Sequence, residues 1–145
     1  MKSDYTIAQL VKSLDVQLVY DMELQAPAFY SPDFNIIAVN THLTEYDQKI
    51  AILHELGHAC LHQQNSQLYR ITATMREKME FEANCFMIKK LLYPYLENPE
   101  IDLYSFNALQ FLVRYQLNQN YLEITKKLYL DFMKLNHYPL FFNQK

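Results

Sequence analysis

With 145 residues, half of them apolar and 14% aromatic, the chain has material for one hydrophobic core and little room for a second, and its composition carries no sign of a disordered protein. Thirteen basic residues are scattered among sixteen acidic ones for a net charge of -3, so no basic stripe exists and direct nucleic-acid binding is disfavoured. The opening Met1-Lys2-Ser3-Asp4 leads into no apolar signal core and no run approaches the roughly 18 apolar residues of a membrane span, so a soluble, cytoplasmic protein without a membrane partner is expected.

One glycine and five prolines leave few residues for tight hairpins and favour long helices with short connections. From Asp4, read as an N-cap, Ile7, Leu10, Val11 and Leu14 fall on one helix face. Three β-like pieces follow, Val16 to Tyr20, Ala28 to Ser31 and Ile36 to Val39, separated by Pro27 and by Pro32-Asp33. Thr44 with Asp47 caps a helix predicted from Glu45 to about His62, and Thr74 with Glu77 opens another that should stop near Tyr93 because Pro94 follows. Asn98-Pro99-Glu100 predicts a helix to about Leu117, and Asn120 with Glu123 opens the last.

Helix, three strands and four helices in that order predict an α+β fold, with a small three-stranded antiparallel sheet against a mainly helical body. A single domain over residues 1–145 is expected, with its core in 14–95 and C-terminal helices in 99–136. The stripes Phe106, Leu109, Val113 and Leu128, Phe132, Leu135 read as core-facing, whereas the tail Tyr138-Pro139-Leu140-Phe141-Phe142 should pack back or bind something. Cys60 and Cys85 sit in apolar helical patterns, where buried free thiols are commoner than a disulfide.

The chemistry lies in His54-Glu55-Leu56-Gly57-His58. On a helix, two histidines at i and i+4 project from one face, one turn apart, as a single metal ion requires. The intervening Glu55 is placed as general base in metal-assisted hydrolysis, leaving the metal to His54 and His58. A catalytic zinc site takes three protein ligands, and the next helix offers Glu77, Glu80 and Glu82. Glu82 shares a face with Lys78 and Lys89, which reads as solvated, whereas Glu80 aligns with Asn84, Met87 and Leu91. Glu80 is therefore the expected third ligand and Glu82 the alternative. Asn84, one turn on, is placed to orient a ligating imidazole through its far nitrogen. Gly57 costs about 1 kcal/mol against alanine in mid-helix, a cost that a close approach by the second helix would explain.

His62 fits a helix-terminal imidazole beside free carbonyls better than an extra ligand, and His42 and His137 read as surface residues. Tyr46, Tyr69 and Tyr93 are candidates for stabilising an oxyanion, and nothing in the sequence selects one. Zn²⁺ is the expected cofactor, although the same ligands serve Mn²⁺ or cobalt.

The run His54 to His62, then Glu80-Phe81-Glu82-Ala83-Asn84-Cys85-Phe86, then Leu91-Leu92-Tyr93-Pro94, resembles the ImmA/IrrE family of metallopeptidases, as does Ile36 to Asn40 upstream. The likeness covers roughly residues 14 to 95, and departs from the family at Tyr93 and around Cys85-Phe86-Met87. It implies a zincin-like fold and a gluzincin-like site with His54, His58 and Glu80 on zinc and Glu55 as base. It also implies a regulatory endopeptidase, an antirepressor that cleaves a helix-turn-helix repressor of a prophage or mobile element. The alternative is a zinc-stabilised module that captures its repressor without proteolysis, against which an intact Glu55 argues. A substrate is expected to lie extended along a sheet edge at residues 36 to 39.

Overall fold

The computed structural model of the protein describes residues 2–62 and 72–140. The elements follow the expected order, an α+β architecture of helix, three strands and four helices, and they divide into two compact units, Met1–Lys90 and Leu91–Lys145.

In the first unit, helix α1 spans Lys2–Ser13, so Asp4 lies inside it and is not its N-cap. The chain leaves α1 through Asp15, whose φ of 55° reverses its direction while Val16 N–H bonds back to the Val11 carbonyl. Strands β1 (Gln17–Asp21), β2 (Ala28–Ser31) and β3 (Ile36–Asn40) form one sheet in the order β1-β3-β2. The sheet is mixed and not antiparallel: β2 and β3 form an antiparallel hairpin, but β1 runs parallel to β3.

Burial explains this order. Ile37 and Val39 of β3 are fully buried, which suits a central strand, whereas β1 is exposed at four of its five positions and is suited only to an edge. Residues 22–27 carry the chain past the central place that β3 fills. Asn35 closes the hairpin in the left-handed region, at φ 54°, and its side-chain amide donates to the carbonyls of Leu14 and Asp15.

Helix α2 spans Glu45–His62, capped by a bond from Asp47 N–H to the Thr44 hydroxyl, and packs on β2, β3 and α1. Helix α3 spans Ala73–Glu97. Its cap is Thr72, whose hydroxyl accepts from Met75 N–H, and the expected Thr74–Glu77 box lies inside the helix. Nor does α3 stop near Tyr93: it passes through Pro94, losing one backbone bond, because Leu91, Leu92 and Leu96 on both sides of the proline are buried.

A Cβ built on Gly57 of α2 would sit 3.1 Å from Ala83 Cα, 3.1 Å from Phe86 Cβ and 3.2 Å from the Ala83 carbonyl oxygen of α3. This is the close approach that the lone glycine implied. Two of those three atoms are backbone, which cannot swing aside. Gly57→Ala is therefore expected to lose stability: overpacking costs about 1–3 kcal/mol, more than the gain of about 1 kcal/mol in helix propensity. Urea unfolding measures the difference, and a higher midpoint in the variant would show that the helices part freely.

The second unit begins within α3 and continues with α4 (Ala108–Arg114) and α5 (Leu122–Leu135). The single helix expected from Asn98 to Leu117 does not form. Asn98 accepts from Glu100 N–H in a local turn, Asp102 caps one 3-10 turn, and Asn107 caps α4 through Gln110 N–H. Three short polar side chains in ten residues keep restarting the chain. The buried face of α4 is consequently Ala108, Phe111 and Leu112, while Leu109 and Val113 are exposed, contrary to the predicted stripe. A further 3-10 turn, capped by Asn118 and not by Asn120, leads into α5. There Leu128 and Phe132 are buried as expected, joined by Met133, and Leu135 is exposed.

Neither cysteine forms a disulfide, but Cys60 is exposed and Cys85 half-buried, so neither is the buried thiol that its apolar neighbours suggested. Tyr138 meets Tyr104 edge to face, while Phe141 and Phe142 lie outside the described residues. Among the described residues no helix is long and apolar enough to cross a membrane.

Candidate metal centre

The inner face of α2 buries Ile52, Leu53, Leu56 and Ala59, which fixes the rotation of the helix and brings His54, Glu55 and His58 to the rim of the core, half-buried. The two imidazoles stand one turn apart with ring centroids 5.0 Å apart and planes at 81°. His54 Nε2 lies 2.9 Å from Glu80 Oε2 and His58 Nε2 lies 2.9 Å from Glu80 Oε1. One carboxylate from α3 thus spans two nitrogens from α2, and the Gly57 contact allows α3 to come that near.

Glu55 faces the same space. Its Oε2 is 3.7 Å from His54 Nε2, and its Oε1 accepts a hydrogen bond of 2.8 Å from the Tyr30 backbone N–H of β2. Burial pushes the Glu55 carboxyl up to about 7; the Tyr30 N–H opposes that rise and the nearby Glu80 charge adds to it. Burial likewise holds the His58 imidazole below its ordinary 6.5 against the attraction of Glu80, with the His54 and His62 charges lowering it further. A neutral imidazole keeps a lone pair for a cation.

His54, Glu55 and His58 each present a ligand atom within 4.8 Å of the others, a cluster able to hold a metal ion. Glu80, the expected third ligand, contacts both imidazoles. Two nitrogens and a carboxylate suit zinc, manganese or cobalt alike.

Glu82 is not in this group. Its carboxylate lies 3.2 Å from His62 Nε2, and the other ring nitrogen of His62 lies 2.9 Å from His58 Nδ1. His62 is 6% exposed, so the expected partner, a free helix carbonyl, is replaced by two side chains. The far nitrogen of one of the two histidines, His58, meets His62, and Asn84, expected to orient a ligating imidazole, is half-buried on α3. The i+4 spacing of His58 and His62 carried this signal in the sequence. The Tyr30 contact carried none, because a backbone N–H has no residue type. Of the candidate tyrosines, Tyr93 packs edge to face on Phe132, and Tyr69 lies outside the described residues. His42 and His137 are exposed, as expected.

Residues 12–116 match the IrrE N-terminal-like domain of a peptidase family. The chain belongs to that family. No curated protein matches the chain in sequence. A solved structure of a Mycobacterium tuberculosis transcriptional regulator aligns with a TM-score of 0.52 at 18% identity, over 86% of this chain and 40% of that one. At that identity the likeness shows the fold alone, and the chain spans about two fifths of that protein's length. Membership of the IrrE-like family makes the chain metallopeptidase-like, in agreement with the resemblance of its motifs, and the His54-Glu55-His58 cluster is its possible metal site.

Proposed function

We propose that this IrrE-like protein is a zinc-dependent endopeptidase that cuts a helix-turn-helix repressor, with His54, His58 and Glu80 as metal ligands and Glu55 as general base. The observation that carries the reading is the convergence of His54 Nε2 and His58 Nε2 on the Glu80 carboxylate beside a second, raised-pKa carboxyl. Glu80 rather than Glu55 is the ligand because Glu80 reaches both imidazoles while the Tyr30 N–H holds one oxygen of Glu55.

A zinc ion bound there supplies a Lewis acid that polarises the scissile carbonyl and acidifies a water. Glu55 would take a proton from the attacking water as the water oxygen joins the carbonyl carbon, and return it to the amine nitrogen as the C–N bond breaks. Its burial favours the protonated form, which suits the return of the proton to the amine. The Tyr30 N–H fixes Oε1, leaving Oε2 toward the imidazoles and the reacting water.

The expected substrate edge at residues 36 to 39 is corrected by the sheet order, because β3 is central. β2 is the edge that borders Glu55, and the outward backbone groups that remain beside the Tyr30 N–H are suited to pair with an extended peptide. A repressor substrate is supported by family membership and by the kinship in fold with a protein named as a transcriptional regulator.

Purified without chelators, the native protein is expected to carry about one zinc per chain, as one three-ligand site allows, and His54→Ala to carry none. Elemental analysis decides this, and zinc retained in the variant would remove the proposed site. Incubation with the cognate repressor should shorten the repressor on a gel; capture of intact repressor would instead favour the non-proteolytic module.

A further inference from the structure

Two residues outside the proposed ligand set are joined to it in a chain. His58 presents Nε2 to the metal site and Nδ1 to His62 Nδ1 at 2.9 Å, and His62 Nε2 meets Glu82 Oε1 at 3.2 Å. Resting on the metal-site reading above, we infer that His62 and Glu82 are positioning residues that fix the tautomer of His58 and so tune its affinity for the metal.

With both imidazoles neutral, proton placement along this chain has one consistent solution, in which His58 Nε2 and Glu80 face each other without a proton, an arrangement that a cation between them satisfies. An ionised carboxylate only accepts, so Glu82 requires the His62 proton on Nε2. With that proton placed, His62 Nδ1 is an acceptor and His58 must donate from Nδ1. His58 Nε2 is then left with a lone pair aimed where Glu80 and His54 converge. Each assignment forces the next, and the last delivers the form that a cation needs.

The geometry favours a built device over a surface coincidence. His62 is almost wholly buried at the end of α2, an unusual place for an imidazole without a task, and both of its nitrogens are engaged. The α3 spacing adds to this: Glu80 and Glu82, two residues apart, serve successive histidines of α2, Glu80 at His58 Nε2 and Glu82 at His62. The second helix thereby supplies a ligand and the anchor of an outer partner together. Outer partners of this kind typically change metal affinity about 10- to 100-fold.

The test is zinc affinity of the full chain by chelator competition for the native protein, His58→Ala, His62→Ala, Glu82→Ala, Glu82→Gln and Glu77→Gln, with ¹⁵N spectra of the imidazoles. His62→Ala and Glu82→Ala are expected to weaken zinc about 10- to 100-fold. Glu82→Gln, whose amide oxygen still accepts the His62 proton, should recover part of that loss. Glu77→Gln, an exposed acid of the same helix, should leave affinity unchanged and so separates the relay from general loss of charge. In the native zinc form the spectra should place the proton on Nδ1 of His58 and Nε2 of His62. Because His62 is buried and its removal could disturb folding, half-exposed Glu82 carries the decision. Native affinity in Glu82→Ala, or a proton on Nδ1 of His62, overturns the relay while His58→Ala still upholds the site. A native chain that binds no zinc overturns both.

Discussion

Glu55→Gln is expected to keep its zinc and its fold while repressor cleavage falls by roughly a hundred- to ten-thousand-fold, the usual contribution of general acid–base catalysis. Glutamine has the shape of glutamate and its amide oxygen still accepts from the Tyr30 N–H, so the contact that positions residue 55 survives. Only the ability to take and return a proton is lost. His54, His58 and Glu80 are untouched, so zinc content should match the native protein. Cleavage rates measured at equal zinc loading provide the check. A variant that cuts at the native rate would remove Glu55 from the chemistry and transfer suspicion to another proton acceptor.

The same substitution should stabilise the chelator-treated protein in alkali. The folded Glu55 carboxyl holds its proton up to about 7, against an ordinary value of 4.5, chiefly because it is buried. Between those values the folded state binds more protons than the unfolded state, so stability falls as pH rises. The contribution is complete below about 4.5 and lost above about 7. At about 1.4 kcal/mol per pH unit the interval corresponds to about 3 kcal/mol as an upper bound. The side chain is 14% exposed, so little of that is screened by solvent. Urea unfolding in chelator at pH 4.5 and pH 8 should show Glu55→Gln closing most of the pH-dependent gap. Equal pH slopes in the two proteins would mean that Glu55 ionises freely. Adding zinc to the native protein should restore much of the lost stability through ligand linkage.

Sequence and structure divided the work along a physical line. Periodicity, caps and punctuation are local, and they determined α2 and all three strands to within about one residue, and the spacing of His54, Glu55 and His58. The lone Gly57 foretold a tight helix crossing, because only a close neighbour justifies its cost in a helix. Local rules failed where competing local bonds or distant burial decided. Asn98, Asp102 and Asn107 broke one predicted helix into turns, and buried leucines carried α3 through Pro94.

What only the tertiary structure decided is which side chains meet. Sequence placed Glu80 and Glu82 on one helix; the crossing at Gly57 sent the first to His54 and His58 and the second to His62. It also set β3 between β1 and β2 and turned the Tyr30 N–H toward Glu55. The reason is range: a motif specifies atoms separated by one helical turn, whereas partners 20 or more residues apart, such as Tyr30 and Glu55 or His62 and Glu82, are joined only by the packing of separate elements.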